Sequence, residues 1–276
     1  MTDRYAVVGH PVAHSVSPQI HAEFARQTGQ ELEYARLLAP RDGFRAALAK
    51  FRDAGGKGIN VTVPFKLEAW DFVAARAGHA HDAGAVNTID FRNGTSVGYN
   101  TDGIGLIRDL EQNLGFAIAG KRVLLMGAGG AAQGVLAPLI EQAPALLVIA
   151  NRTEAKAEHL LQAYFARKGP LSTLNWRSYP ELAHETFDLV INATSASLAG
   201  ELPPLPAGLF APDSLAYDMM YGRDSTPFMK FAHKHGAARV ADGVGMLVEQ
   251  AAESFFVWRN VRPQTAPVIA LLKREG

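Results

Sequence analysis

The sequence predicts an α/β protein of two domains, in which the second domain is a doubly wound sheet that binds a dinucleotide. Three observations lead to this prediction. The chain has 276 residues, which is more than one compact domain usually contains. Apolar segments of strand length alternate along it with segments of helical periodicity. One of these strands runs directly into a glycine-rich turn, Gly127 to Gly130.

The first part of the chain predicts a mixed, largely parallel α/β layer. The predicted elements are, in order, strand 5–9, helix 18–28, strand 32–38, helix 42–53, strand 58–63 and helix 66–77. This βαβα order favours parallel strands. We expect Ser17 to cap the first helix, with Pro18 at its first position. Segments 85–89 and 96–99 flank Asn93-Gly94, a dipeptide typical of a tight hairpin turn.

The second part predicts a Rossmann-type doubly wound sheet. Its predicted elements are strand 123–126, helix 130–141, strand 145–150, helix 153–166, strands 172–176, 187–192, 214–219 and 238–241, a helix begun by Thr226-Pro227, and final helices 246–258 and 265–273. Gly127 allows the tight turn, Gly129 lets the backbone approach a pyrophosphate, and Ala132 lets helix and strand pack closely. The pyrophosphate would lie on the helix N-terminus. A purely structural turn is the alternative.

The end of the next strand indicates which dinucleotide is bound. NAD-preferring folds usually carry an acid here for the ribose 2′-hydroxyl. This chain has Asn151-Arg152-Thr153 instead, with Lys156 one helical turn beyond Arg152. Cationic and hydroxyl groups suit a 2′-phosphate. The sequence therefore predicts NADP, and the alternative is a Thr153 helix cap followed by a solvated basic residue.

Composition excludes several classes of function. Lys plus Arg (27) balance Asp plus Glu (27), so no net field attracts nucleic acid or an anionic membrane. The chain has no cysteine and no apolar run near ~18 residues, and a cytoplasmic protein is expected. The histidine pairs of segments 79–82 and 233–235 lack a third clustered ligand in the sequence, so no metal site is expected.

Lys66 and Asp102 are the candidate catalytic residues. A lysine in the first turn of a helix faces the positive end of the helix dipole, which is electrostatically unfavourable. A residue in a locally unfavourable position is a candidate for function. A flexible lysine that reaches solvent is the alternative for Lys66. Asp102 begins a predicted helix, where an N-cap role is the alternative.

Eight motifs resemble those of the shikimate dehydrogenase family, in the same order and over nearly the whole chain. They are His14-Ser15-Val16-Ser17-Pro18, Asn60-Val61-Thr62-Val63-Pro64-Phe65-Lys66, Gly84-Ala85-Val86-Asn87-Thr88, Asn100-Thr101-Asp102, Gly127-Ala128-Gly129-Gly130-Ala131, Asn151-Arg152-Thr153, Asn192-Ala193-Thr194-Ser195 and Ala241-Asp242-Gly243-Val244-Gly245-Met246-Leu247. The family interconverts 3-dehydroshikimate and shikimate with NADP(H), on the pathway to chorismate and the aromatic amino acids. Ala196 and Ala199 depart slightly from the family pattern.

The resemblance implies a role for each matching residue. The catalytic pair would be Lys66 and Asp102. Substrate would be bound by Ser15 and Ser17 at its carboxylate, by Thr62, Asn87 and Gln250 at the ring hydroxyls, and by Tyr221, which closes over it. The pyrophosphate would contact Gly127, Ala128, Gly129, Gly130 and Ala131, the 2′-phosphate Asn151, Arg152, Thr153 and Lys156, and the nicotinamide side Thr194, Met219 and Gly243.

The resemblance also implies a domain organisation and leaves alternatives for the function. A substrate-binding domain would span residues 1–102 and be completed by C-terminal helices in 243–276, with the NADP-binding domain at 103–242. A monomer or homodimer is expected. The alternatives are a quinate/shikimate dehydrogenase with relaxed substrate or cofactor choice, a methylene-tetrahydrofolate dehydrogenase, and a non-catalytic NADP-sensing protein.

Overall fold

Two six-stranded sheets form the framework of the protein. In a computed structural model, which describes residues 2–194, 196, 201–222 and 224–275, the strand order is β2-β1-β3-β5-β6-β4 in the first sheet. The second sheet has the order β12-β11-β10-β7-β8-β9. Each sheet comes from one continuous part of the chain, so the predicted two-domain α/β fold is confirmed.

The first domain is mixed rather than wholly parallel. Its elements are β1 (Asp3–Gly9), α1 (Ser17–Thr28), β2 (Leu32–Leu38), α2 (Phe44–Asp53), β3 (Gly56–Val61), α3 (Lys66–Phe72), β4 (Ala75–Arg76), α4 (Ala80–Ala83), β5 (Thr88–Asp90) and β6 (Val97–Tyr99). Strand β1 pairs in parallel with β2 and β3, whereas β5 is antiparallel to both β3 and β6.

The two faces of this sheet have different characters because side chains alternate along each strand. Ala6, Val8, Ile59 and Val61 point into an apolar core shared with α2 and α3. The opposite face carries polar side chains such as Asn60 and faces helices α1 and α9. The fold therefore places a polar, partly buried surface beneath α1.

The second domain is a doubly wound parallel sheet. The elements that follow in the chain are α5 (Asp102–Arg108), a π-helical turn (Asp109–Asn113), β7 (Arg122–Met126), α6 (Gly130–Glu141), β8 (Leu146–Ala150), α7 (Glu154–Lys168), β9 (Leu174–Arg177), β10 (Phe187–Asn192), β11 (Phe210–Asp218), α8 (Pro227–Lys234), β12 (Arg239–Ala241), α9 (Val244–Arg259) and α10 (Ala266–Glu275). The strand order reverses between β7 and β10, and ligands bind at such a switch point in open α/β sheets.

Helices α9 and α10 return to the first domain. Val248 and Phe255 of α9 and Val268 of α10 form a buried apolar cluster with Ile20 and Phe24 of α1. Trp258 of α9 reaches the first sheet, where its indole N–H donates to the carbonyl oxygen of Ile89 at 3.1 Å. None of the helices in the described residues is both long and apolar enough to cross a membrane.

Two local predictions about helices were wrong. Ser17 is the first residue of α1 rather than its cap, and its backbone N–H donates to Ser15 Oγ at 3.3 Å. Helix α3 ends at Phe72 instead of continuing to residue 77. The following residues, Ala75–Arg76, form strand β4 instead, and the Ala75 N–H donates to the carbonyl oxygen of Ser96. Tertiary hydrogen bonds outweigh local helix propensity at this position.

The predicted hairpin is present, with its turn at the predicted place. Strands β5 and β6 are antiparallel, and their last pair is Asp90 with Val97. The Asp90 carboxylate accepts a hydrogen bond from the Arg92 N–H and stabilises a short 3₁₀ turn, Arg92–Gly94. Gly94 has a φ of 74°, as expected of a glycine in a turn.

Candidate active site

Lys66 and Asp102 meet in the groove between the two domains. Lys66 is the first residue of α3 and Asp102 the first residue of α5, and Lys66 Nζ lies 2.5 Å from Asp102 Oδ2. Their side chains are 17% and 7% exposed. Lys66 is therefore not a freely solvated lysine. Thr101, not Asp102, occupies the cap position of α5, so the capping alternative for Asp102 does not hold either.

The second carboxylate oxygen of Asp102 is also hydrogen-bonded. Asn87 Nδ2 donates to Asp102 Oδ1 at 2.9 Å and lies at the same distance from Thr101 Oγ1. In return, the Thr101 backbone N–H donates to Asn87 Oδ1 at 2.9 Å. The Asp102 N–H donates to Asn100 Oδ1. Because both oxygens and the adjacent backbone have partners, the carboxylate is held in one orientation before any substrate binds.

A buried polar network connects this carboxylate to helix α9. Gln250 Oε1 lies 3.3 Å from Thr101 Oγ1 and 3.4 Å from Asn87 Nδ2. Ser254 is fully buried, and its hydroxyl lies 2.7 Å from Thr88 Oγ1, 3.3 Å from Thr101 Oγ1 and 3.0 Å from Asn60 Nδ2. Residues near the C-terminus thus complete a site whose charged groups come from the first part of the chain.

The two predicted carboxylate-binding serines lie together at the start of α1. Ser15 Oγ donates to Ser17 Oγ at 3.1 Å. The hydroxyl of Tyr34 is hydrogen-bonded to Ser17 and donates to Asn60 Oδ1 at 2.7 Å. Burial raises the pKa of Tyr34 well above its ordinary value, so the phenol stays protonated. Thr62, at the end of the same sheet, packs against the backbone of Gly9.

Helix α6 of the second domain approaches the catalytic pair through its glycines. A Cβ atom on Gly134 would lie 3.0 Å from Asp102 Oδ2, and one on Gly130 would lie 3.7 Å from Lys66 Cβ. A Cβ on Gly103 would collide with Pro138 of α6. The absence of side chains at these positions brings the N-terminus of α6 next to Lys66.

The glycine-rich turn has the geometry that a pyrophosphate requires. Gly127 has a φ of 113°, a backbone conformation that side chains disfavour. Gly129 is the N-cap of α6, and a Cβ there would meet nothing within 4 Å, so the space above the turn is open. Backbone N–H groups at the start of α6 point toward that space. Gly127, Gly129, Gly130 and the adjoining Ala128 and Ala131 therefore fit a bound dinucleotide.

Three residues predicted for the nicotinamide side lie at neighbouring strand ends. Thr194 follows β10, and its Oγ1 donates to Asn192 Oδ1 at 2.7 Å. Its methyl group lies 3.4 Å from a Cβ built on Gly127. Met219 follows β11, and its backbone packs directly against Gly243. Ser195 and Ala199 lie outside the described residues.

Tyr221 follows Met219 by two positions and is 38% exposed. Its ring is therefore accessible at the end of β11 that also carries Met219. The implied closure of this ring over a substrate stays a prediction.

The predicted adenosine-phosphate residues form an open surface at the end of β8. Arg152 has an 85% exposed side chain, and Lys156 is exposed one turn into α7. Asn151 Nδ2 donates to the carbonyl oxygen of Thr153 at 2.9 Å. Thr153 occupies the N-cap position of α7 without a capping hydrogen bond from its side chain. Helix capping by the side chain therefore does not account for a threonine at position 153.

A carboxylate that the sequence pattern did not indicate lies near His79 and Asp82. It belongs to Glu141 at the end of α6, and one ligand atom from each of the three residues lies within 4.8 Å of the others. The absence of a metal stays a prediction. Lys168 Nζ lies 2.9 Å from Asp82 Oδ1 and already supplies positive charge. We interpret this cluster as an ionic contact between the domains.

Comparisons with known proteins agree with this architecture. The family model for the shikimate dehydrogenase substrate binding domain matches residues 7–89, that for shikimate/quinate 5-dehydrogenase matches 109–199, and that for the shikimate 5′-dehydrogenase C-terminal domain matches 243–273. A shikimate dehydrogenase (NADP(+)) of Methylobacillus flagellatus is 60% identical over 98% of this chain and 99% of its own. The chain belongs to the shikimate dehydrogenase family.

Further relatives support the assignment. A shikimate dehydrogenase (NADP(+)) of Nitrosospira multiformis is 60% identical over 99% of this chain and 98% of its own. Among solved structures, the shikimate 5-dehydrogenase of Thermus thermophilus in complex with NADP(H) and shikimate has a TM-score of 0.87 and 30% identity, covering 99% of both chains. The family fold therefore extends over the entire described chain.

From the sequence alone, no role was assigned to several residues that the site of this family member contains. Asn60, Thr88 and Ser254 carry the buried network, and Tyr34 lies beneath the serine pair. Ser254 follows Gln250 by four positions and so lies on the same helical face, a signal that was available in the sequence. Tyr34 gave no comparable signal, because a tyrosine in a strand is more often an ordinary core residue.

Proposed function

We propose that this protein is an NADP-dependent shikimate dehydrogenase that interconverts 3-dehydroshikimate and shikimate, a step toward chorismate and the aromatic amino acids. The observation that carries the proposal is the Lys66–Asp102 pair, which lies near the N-terminus of α6 in the second domain. In the first domain, hydrogen bonds through Asn87, Asn60 and Tyr34 connect the pair to Ser17. A non-catalytic NADP sensor would need no largely buried ion pair connected by hydrogen bonds to the serine loop.

Reduction of the ketone requires a hydride on carbon and a proton on oxygen. NADPH, when bound, supplies the hydride. The Lys66 ammonium can hydrogen-bond the ketone oxygen, stabilise the negative charge that develops there and deliver the proton. In the reverse direction Lys66 accepts the hydroxyl proton. Asp102 keeps the ammonium oriented, since its other oxygen is held by Asn87.

The other proposed substrate contacts form two groups, one at the carboxylate and one at the ring hydroxyls. Ser15 and Ser17 bind the carboxylate, and Thr62, Asn87 and Gln250 contact ring hydroxyls near the catalytic pair. This assignment is supported by the position of Gln250 within 3.4 Å of Asn87. Tyr221 closes over the bound substrate from the second domain.

The cofactor is assigned to the second domain. Gly127, Ala128, Gly129, Gly130 and Ala131 hold the pyrophosphate, and Thr194, Met219 and Gly243 border the nicotinamide. Asn151, Arg152, Thr153 and Lys156 bind the 2′-phosphate, for which their charge and exposure are suited.

The proposed domain boundaries are 1–102 with 243–276 for the substrate-binding domain and 103–242 for the NADP-binding domain. The packing of α9 and α10 on α1 supports this division. A monomeric or homodimeric state and a cytoplasmic location stay predictions.

The test is the formation of NADPH by the purified protein from NADP+ and shikimate, run beside quinate and beside NAD+. We expect turnover with shikimate and NADP+ and much weaker turnover in the other combinations. Comparable turnover with quinate or NAD+ would favour the relaxed dehydrogenase. Binding of NADP+ without turnover of either acid would favour a sensor, and turnover of methylene-tetrahydrofolate alone would overturn the proposal.

A further inference from the structure

Arg36 contacts the loop that carries the two serines. It lies on β2, and its Nε donates to the carbonyl oxygen of Ser15 at 2.9 Å. Arg36 follows Tyr34 by two positions, so both side chains project from the same face of the sheet. Tyr34 is hydrogen-bonded to Ser17. Two neighbouring side chains of one strand thus support the two serines.

The register of the sheet places Arg36 level with the buried network. Val7 of β1 pairs with Arg36 on one side and with Asn60 on the other. Asn60 is hydrogen-bonded to Thr88 and Ser254 beneath the catalytic pair. The same face of the sheet therefore carries Arg36 at the serine end and Asn60 toward the catalytic end.

The positive charge of the Arg36 guanidinium is available to bind an anion. In the described part of the chain it takes part in no ion pair, and the rest of its guanidinium makes no hydrogen bond to a protein acceptor. The ammonium of Lys66, by contrast, is already paired with Asp102. Serine hydroxyls provide only dipoles, and a carboxylate leaving water requires either a cation or several donors.

We propose that Arg36 is a positioning and specificity-determining residue for the substrate carboxylate. Through Nε it fixes the Ser15 backbone, and through its terminal N–H groups it provides the positive charge that favours a carboxylate over an uncharged group. This inference rests on the proposed function, and it adds a cationic group to a site otherwise formed by neutral hydroxyls.

The test compares Arg36→Gln, Arg36→Lys and Arg41→Gln. Arg41 is an exposed arginine in the turn after the same strand, and within the described residues its side chain makes no hydrogen bond or ion pair with the serine loop. It serves as the control for loss of one charge. We expect Arg36→Gln to raise the KM for shikimate ~10- to ~100-fold, since a hydrogen bond to a charged group is lost, with kcat at saturating shikimate changing less. Arg36→Lys should restore part of the loss, and Arg41→Gln should change little.

A second measurement separates charge from loop structure. Shikimate and its uncharged methyl ester are compared as competing ligands of the unaltered protein and of Arg36→Gln. The preference for the acid should shrink at least ~5-fold in Arg36→Gln, because only the acid loses an ionic partner.

Two results would overturn the inference. One is an Arg36→Gln KM for shikimate within ~2-fold of the unaltered value, an effect no larger than that of an exposed charge. The other is an unchanged preference for the acid over the ester, which would limit Arg36 to holding the loop. Failure of the unaltered protein to oxidise shikimate would instead count against the proposed function.

Discussion

The catalytic end and the adenosine end of the cleft are built in opposite ways. At the catalytic end, the Asp102 side chain is 7% exposed and both of its oxygens are hydrogen-bonded. At the adenosine end, the Arg152 side chain is 85% exposed, and its Nη1 lies 3.9 Å from Oε2 of Glu201. One end is a buried and interlocked network, and the other is a set of cations in solvent.

This difference indicates how each end recognises its ligand. In the buried network, geometry is fixed before binding, so chemistry depends on a preorganised arrangement of donors and acceptors. At the exposed surface, recognition depends on charge that water and salt screen. Changes at the first end should therefore affect turnover, and changes at the second should affect cofactor affinity.

The largest effect is expected from Lys66→Ala. Removing the proposed proton donor should lower kcat ~10²- to ~10⁴-fold, while the dissociation constant for NADPH stays within ~2-fold. Steady-state kinetics and a fluorescence titration with NADPH measure the two quantities. Lys57→Ala, an exposed lysine of the same domain, is the control. Equal losses in turnover and cofactor binding would remove the distinction between the two ends.

The buried end should also be the acid-sensitive one, because it encloses His21. The imidazole stacks on Tyr34 with ring centroids 4.1 Å apart, and burial lowers the pKa of His21 to about 3. The ordinary pKa of histidine is 6.5, so below that pH His21 binds a proton in the unfolded chain. In the folded chain it stays neutral until the pH approaches its lowered pKa of about 3. The free energy of unfolding contributed by this residue is thus intact above pH ~6.5 and declines as the pH falls toward ~3.

His21→Phe should remove this component. Between pH ~7.5 and ~5 the variant should lose ~2 kcal/mol less stability than the unaltered protein, as measured by urea unfolding at both pH values. His159→Phe, an exposed histidine of α7, is the control. The same acid loss in both variants would show that His21 does not contribute to the pH dependence.

The smallest effect is expected from Arg152→Gln. Loss of one exposed cation should raise the KM for NADP+ ~10-fold and leave that for NAD+ nearly unchanged, since only NADP+ carries the 2′-phosphate. The difference in the KM for NADP+ between Arg152→Gln and the unaltered protein should diminish at high ionic strength. Lys234→Gln, an exposed lysine of α8, is the control. An unchanged KM for NADP+, or an equal change for NAD+, would contradict the assignment of the adenosine end.

The fold class, the order of most elements and the glycine-rich turn could be predicted from the sequence alone. Those features depend on local patterns: apolar periodicity, glycines at fixed spacing, and the Thr226-Pro227 start of a helix. The family motifs also located Lys66 and Asp102, but the residues alone left a solvated lysine and a helix cap as alternatives for them.

The folded chain excludes both alternatives. Lys66 and Asp102 come together because separate elements cross at the domain boundary and because glycines of α6 let that helix approach. The end of α3 at Phe72 and the partnership of Ser254 with Asn60 likewise depend on contacts between distant segments. Local patterns carry no information on such contacts, since their free energy comes from groups that meet only after the chain has folded.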